Sequence, residues 1–177
     1  MTNPPVTLSP PDYGYIRGLV RERAAIVLED GKEYLVEARL TPVARREGFG
    51  ALDEFIQRLR SQPYGPLHRK AVEAMTINET SFFRDWRPFE VLRKNVLPEV
   101  VAKNANLKSL HIWSAASSSG QEAYSLAILL KEHFAQVSGW QVKVHGSDVS
   151  TEMVERSRVG KYLQIEVNRG MPAPLLV

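Results

Sequence analysis

The chain has 177 residues, of which 44% are hydrophobic and 24% charged, with a formal net charge of +3. This composition predicts a soluble globular protein of one ordinary domain or two small ones. The absence of cysteine excludes a disulfide framework, a thiolate zinc site and a cysteine nucleophile, and it fits a reducing, cytoplasmic setting. No metal site is predicted. The weak charge excess argues against nucleic acid as a partner. Residues 1–12 lack a signal-peptide pattern, and no apolar run is long enough for membrane insertion.

Apolar residues from position 12 to about 74 recur at helical spacing, which predicts a small helical domain. The clearest repeat, at i, i+3, i+4 and i+7, consists of Leu52, Phe55, Ile56 and Leu59. Ser9 with Asp12 resembles a capping box at the start of the first helix. Pro42 is expected to kink or restart the helix entered near Lys32.

The pattern changes after residue 106. Residues 107–113 form a short apolar run followed by small residues and a helical pattern, which indicates a β-turn-α unit. A second run, 140–144, is followed by Ser150, which can cap another helix. Strands that alternate with helices predict a parallel, doubly wound, Rossmann-like sheet, and two visible strands leave that sheet incomplete.

These patterns predict a three-part organisation. Residues 1–88 are expected to form the helical domain, and residues 107–177 the amino-terminal part of an α/β domain. Residues 89–106 are expected to link them, with a helix from Val91 to Val101 that is broken near Pro98.

The turn after the first strand is the expected ligand site, because ligands bind at the carboxyl ends of parallel strands. Its small residues Ala115, Ala116 and Ser117 let a ligand approach the backbone, and Glu122 lies in the first turn of the next helix. Asp148 ends the second strand, where a carboxylate can accept hydrogen bonds from ribose hydroxyls. A plain structural loop, with Asp148 as a helix cap, is the alternative. A nicotinamide-dependent oxidoreductase would need a glycine fingerprint that this turn lacks.

Three motifs follow one another along the chain: MTINETSFFRD at residues 75–85, IWSAASSSGQEAYS at residues 112–125 and SDVS at residues 147–150. Gly160 and Tyr162 come further on. Together these segments resemble the bacterial chemotaxis receptor methyltransferases of the CheR family, from about Tyr15 to the end of the chain. Ser117 stands where the family commonly has cysteine, and Gln121 where it has glutamate.

The resemblance implies an S-adenosylmethionine-dependent enzyme that methylates glutamate side chains on cytoplasmic helices of chemoreceptor-type proteins and releases S-adenosylhomocysteine. It implies that Asn78, Thr80, Arg84, Glu122 and Asp148 bind the cofactor, beside the small residues of the turn. Arg84 is also the predicted catalytic residue, which orients the attacking carboxylate. The alternatives are that Asn78 or Thr80 caps a helix and that Arg84 forms a surface pair with Asp85.

Arg39, Arg45 and Arg46 form a local basic patch that is suited to docking an acidic receptor helix, the alternative being a solvated helix face. Family members continue with further strands, so we expect a chain truncated at its carboxyl terminus, with impaired methyl transfer. An exposed parallel edge would favour self-association. The rival hypothesis is a catalytically silent receptor-interaction module.

Overall fold

A computed structural model of the chain describes residues 8–176. The chain divides into two compact units, Met1–Ile77 and Asn78–Val177. The described part of the first unit contains four helices: α1 (Pro10–Ala24), α2 (Glu33–Arg46), α3 (Leu52–Arg60) and α4 (Pro66–Met75). Within residues 8–176, no helix is both long and apolar enough to cross a membrane.

The predicted helical domain is confirmed, because the apolar repeat of α3 faces the core of the first unit. Phe55, Ile56 and Leu59 are wholly buried, and Leu52 is only 7% exposed. At the start of α1 the Ser9 hydroxyl accepts the Asp12 N–H, as the capping pattern predicts.

The expected restart at Pro42 does not occur, since α2 runs through this residue. Pro42 removes one backbone donor, but its ring lies on the exposed side of the helix. Val36, Leu40 and Val43 are at most 3% exposed on the opposite side. Burial of these apolar side chains stabilises a helix that proline by itself would interrupt.

The second unit begins with a continuous helical run: α5 (Arg87–Val91), a π-helical turn (Leu92–Val96) and α6 (Leu97–Lys103). The predicted break near Pro98 is therefore a widened turn, in which the Leu97 N–H donates to the Leu92 carbonyl. A proline ring crowds the carbonyl four residues before it. A π turn relieves that crowding without ending the helix.

Two parallel strands form the sheet, β1 (Ser109–Ala115) and β2 (Gln141–Ser147). They pair in register from Ser109 with Gln141 to Ala115 with Ser147. Helix α7 (Gln121–His133) and a 3-10 turn (Ala135–Val137) connect them, and α8 (Thr151–Val159), α9 (Gln164–Asn168) and a 3-10 turn (Ala173–Leu175) follow. The predicted β-turn-α unit and the incomplete Rossmann-like sheet are confirmed.

The division between the units lies before the predicted boundary at residue 88. Phe82, Phe83 and Phe89 are at most 6% exposed in the core of the second unit, which also contains the leucines of α7. Large aromatic side chains bury much apolar surface. Residues 78–106 consequently form part of the α/β unit in this structure, where the sequence predicts the end of the helical domain and a linker.

Candidate functional site

The turn between β1 and α7 has an unusual backbone. Ala116, Ser118 and Gly120 have φ values of 56°, 49° and 97°, and positive φ is uncommon for residues other than glycine. The Ser117 N–H donates to the Ser147 carbonyl at 2.9 Å, and the Gly120 N–H donates to the Ser117 carbonyl at the same distance. The turn is thereby closed on itself and attached to the end of β2.

Asp148 joins the carboxyl ends of the two strands. Its Oδ2 accepts the Ser118 N–H at 2.7 Å, and its Oδ1 accepts the Ser150 N–H at 2.9 Å. A carboxylate has about four acceptor positions, so each oxygen keeps one for a further donor. The cap of α8 is a different side chain, because the Ser150 hydroxyl accepts the Met153 N–H. The ribose-binding role of Asp148 stays a prediction.

A cavity of about 540 Å³ lies along β1, in the size range of small-molecule sites. Its apolar walls come from the helical run 87–103 and from Leu110, Ile112 and Leu126. Arg84 and Glu122, which lie far apart in sequence, both line it beside Trp113. The structure therefore brings two of the predicted site residues, a guanidinium and a carboxylate, to one cavity.

The Arg84 guanidinium and the Glu122 carboxylate are each held by a local hydrogen bond, and Arg84 lies in a strained stretch of backbone. Arg84 lies between Phe83 and Asp85, whose φ values of 47° and 58° are positive. Its Nη1 donates to the Glu79 carbonyl at 2.6 Å, and no ion pair with Asp85 is present in the described part of the chain. Glu122 Oε1 accepts the Ser114 hydroxyl at 2.6 Å. Both side chains are exposed, so either can meet a ligand.

The segment from Asn78 to Arg84 precedes α5 and has no helical structure of its own. The alternative in which Asn78 or Thr80 caps a helix carrying the phenylalanines is therefore wrong. The Asn78 carbonyl accepts the Ser118 hydroxyl at 2.8 Å. Thr80 is half-buried, while Ala115 and Ala116 are exposed and Ser117 is buried.

Tyr162 is a contact of the turn whose role the sequence did not indicate. Its hydroxyl donates to the Ser119 carbonyl at 2.6 Å. Burial raises the pKa of Tyr162 to about 12. A Cβ at Gly120 would overlap the Ser157 hydroxyl and lie 3.0 Å from the Tyr162 oxygen. The spacing of Gly160 and Tyr162 belongs to the motif pattern, but only the fold pairs Tyr162 with a turn 43 residues away.

Two family profiles match adjacent parts of the chain. The profile for the CheR methyltransferase all-alpha domain covers residues 11–76, and that for the CheR methyltransferase SAM binding domain covers residues 78–176. The chain belongs to the CheR methyltransferase family. The two matches coincide with the two compact units of the structure, and the second places the cavity and the turn in the domain described as binding S-adenosylmethionine.

Similar proteins of this family are named chemotaxis protein methyltransferases. Chemotaxis protein methyltransferase Cher2 of Pseudomonas putida is 37% identical over 90% of this chain, and chemotaxis protein methyltransferase 1 of Pseudomonas aeruginosa is 39% identical over the same share. The chemotaxis protein methyltransferase of Escherichia coli is 32% identical over 96% of the chain. The chain spans 59%, 59% and 57% of the lengths of these three relatives.

The basic patch of this CheR family member lies on α2, from the middle of the helix to its carboxyl-terminal end. Arg39 and Arg46 are two turns apart on a continuous helix and therefore share a face. Arg39 Nη1 donates to the carbonyls of Met75 and Thr76 at 2.7 and 3.2 Å, where α4 ends. Arg45 and Arg46 are exposed. Arg39 thus has a structural contact, and docking by the patch stays a prediction.

Proposed function

We propose that this chain forms the cofactor-binding part of an S-adenosylmethionine-dependent methyltransferase that acts in the cytoplasm on glutamate side chains of chemoreceptor-type proteins. The observation that carries the proposal is the cavity along β1 that Arg84 and Glu122 share. The family match supports the cofactor. The aromatic and apolar walls of the cavity suit an organic ligand with a few charged groups.

The residues present fit the chemistry of this cofactor. Arg84 can hold a carboxylate through two parallel N–H donors, and Glu122 can accept from an ammonium group or a hydroxyl. Asp148 has acceptor positions left for ribose hydroxyls.

The methyl transfer itself asks little acid–base chemistry of the chain. When bound, S-adenosylmethionine supplies an electrophilic methyl group. An acceptor glutamate, with an ordinary pKa of about 4.3, is already ionised at neutral pH. The chain therefore needs no general base, and its residues act by alignment and exclusion of water.

Calorimetric titration of the 177-residue chain with S-adenosylhomocysteine tests the cofactor assignment. Glu122→Gln keeps the shape of the side chain but removes its charge, and we expect about tenfold weaker binding or more. Asp148→Asn keeps one acceptor and places an NH₂ group against a backbone N–H, so it should weaken binding as well.

Glu132→Gln is the matched control, because it is the same change on the same helix, outside the cavity of Arg84 and Glu122. Binding by the control should equal that of the wild type. A folded wild-type chain that gives no binding heat contradicts the assignment. Receptor binding without cofactor binding would instead favour the silent interaction module.

We propose that Arg45 and Arg46 dock an acidic helix of the receptor protein. Both guanidinium groups are exposed at the end of α2, and opposite charges mainly accelerate and orient association. Reversal to Glu at both positions should slow association with a receptor fragment and reduce its dependence on salt. Equal association rates for the double variant and the wild type would contradict this docking surface.

We also propose slow methyl transfer by this chain alone and self-association of its sheet. Among residues 8–176, β1 pairs with a strand on one side only, and the consecutive residues from Leu110 to Trp113 line the cavity. Such an edge leaves the cavity open and offers unpaired backbone groups to another strand.

The self-association can be tested with two variants. Val96→Lys, in the cavity wall, should disrupt association, while Val91→Lys outside it should not. Sedimentation that shows a monomer at every concentration would refute the association, and fast turnover by the monomer would refute slow transfer.

A further inference from the structure

Two buried serines contact the two ends of the segment that leads to Arg84. Ser118, 6% exposed, donates its hydroxyl to the Asn78 carbonyl at 2.8 Å. Ser125, wholly buried, accepts the Phe83 N–H at 2.9 Å. Ser118 belongs to the turn after β1 and Ser125 to helix α7. The segment is thus held at its first residue and at the residue before Arg84.

The Ser125 hydroxyl acts both as a hydrogen-bond donor and as an acceptor. Its Oγ donates to the Gln121 carbonyl at 2.7 Å, which is the usual bond of a serine within a helix to the residue four before it. A lone pair is then free to accept the Phe83 N–H. Alanine at this position would leave that buried N–H without a partner, and an unsatisfied buried donor is costly.

The backbone of Phe83 is strained, and its N–H needs such a partner because the residue is buried. With φ at 47°, its N–H takes part in neither a helix nor the sheet. A residue with positive φ persists only where its surroundings hold it in place. The Ser125 hydroxyl and the buried phenyl ring together fix this conformation, and Arg84 follows directly.

Ser118 connects the other end of the segment to the strands. Its N–H donates to the Asp148 carboxylate and its hydroxyl donates to the Asn78 carbonyl, so one residue contacts two of the predicted cofactor ligands. We therefore expect a change at Ser118 to affect both the carboxylate after β2 and the segment before Arg84.

We propose that Ser118 and Ser125 are positioning residues, which hold the segment from Asn78 to Arg84 in the conformation that receives the cofactor. Neither hydroxyl is assigned a contact with the cofactor. The ligand part of this inference rests on the proposed function, whereas the ordering of the segment by the two serines does not. The two parts can be measured separately.

The test combines hydrogen exchange with calorimetry on the full chain. Ser118→Ala and Ser125→Ala should each raise amide exchange in residues 78–86 about tenfold and weaken S-adenosylhomocysteine binding by a similar factor. Ser138→Ala, an exposed serine in the loop before β2, is the matched control and should change neither. Exchange in α1–α4 should stay at the wild-type level in every variant.

Each outcome decides part of the inference. Wild-type exchange in residues 78–86 of either variant overturns the role of that serine, and faster exchange with unchanged ligand affinity overturns positioning for the cofactor. Uniformly faster exchange throughout the second unit would also overturn the positioning role, because the serine would then stabilise the whole unit and not the segment. If Ser118→Ala does not fold, Ser118→Gly removes the hydroxyl while easily adopting positive φ. A wild-type chain that binds no ligand refutes the proposed function, and the exchange data then decide the serine contacts alone.

Discussion

In helix α3 the stabilising residues are apolar and buried, whereas the turn between β1 and α7 is held by serines, a glycine and one aspartate. Phe55 lies in a core whose members need only be apolar and of suitable size. Ser118 and Asp148 instead make specific hydrogen bonds, and Gly120 has positive φ. The first region tolerates change in proportion to volume, and the second depends on individual atoms.

Removal of a core ring gives the largest expected effect. Phe55 is wholly buried and packs edge-to-face on Phe49, with ring centroids 5.4 Å apart. Phe55→Ala should lower the free energy of unfolding by about 3 to 5 kcal/mol, measured by denaturant titration and by exchange in α1–α4. Tyr34→Ala removes an exposed ring and should cost less than about 0.5 kcal/mol. Similar losses in both variants would contradict an apolar core as the source of stability here.

A single methyl group tests the atomic specificity of the turn. Gly120→Ala introduces a Cβ that overlaps the Ser157 hydroxyl at a φ of 97°. We expect a loss of about 1 to 3 kcal/mol in stability, with weaker S-adenosylhomocysteine binding. Gly139→Ala is the control, since Gly139 has a φ of 85° but open space around its Cα. The difference between the variants measures the overlap, and equal losses would show that only the backbone angle matters.

Alkaline pH tests the hydrogen bond that Tyr162 makes to the turn. Burial raises the pKa of this phenol to about 12 in the folded chain, from an ordinary value near 10. The folded state therefore favours the protonated form, whose stabilisation is complete below pH 10 and is lost as pH rises towards 12. Tyr162→Phe should lose about 0.5 to 1.5 kcal/mol at neutral pH and show a smaller decline above pH 10. The same decline in both proteins would assign it to other groups.

A surface ion pair gives the smallest expected effect. Hydrogen bonds from Arg93 and Lys94 lower the pKa of Glu90 to about 2. The ionised carboxylate is thus favoured by folding above its ordinary pKa, and this contribution disappears as pH falls from about 4.5 to 2. Carbon-detected NMR titration of the Glu90 carboxyl group should report the low value. Arg93→Gln should raise it with little change in thermal stability, because ion pairs at the protein surface contribute little. An unchanged pKa in that variant would exclude the Arg93 contact.

Most of the regular structure is predictable from the sequence because it depends on local periodicity. The four-residue apolar repeat of α3 and the caps at Ser9 and Ser150 lie where the sequence indicates. Both strands were expected, although β1 and β2 each end at least two residues beyond the predicted runs. Their last residues are polar or small, and pairing rather than apolar character extends the strands there.

The candidate site is less predictable because it depends on contacts between distant residues. Motifs identified Arg84, Glu122 and Asp148, but the sequence did not indicate that Asp148 binds two backbone amides. Nor did it indicate that Ser125 contacts Phe83, 42 residues away. Hydrogen bonds of this kind have no sequence period, since each depends on where two loops meet.

Local sequence patterns are enough to predict the helical and α/β character of the two parts and the family, and they also propose the candidate site residues. Periodicity, capping residues and short motifs are local features, so they can be recognised in the sequence without knowledge of the fold. That residues 78–106 belong to the α/β unit is visible only in the folded chain, where the core of this unit encloses Phe82, Phe83 and Phe89. The cavity that Arg84 and Glu122 share is likewise visible only in the fold, because side-chain proximity follows from packing and not from distance along the chain.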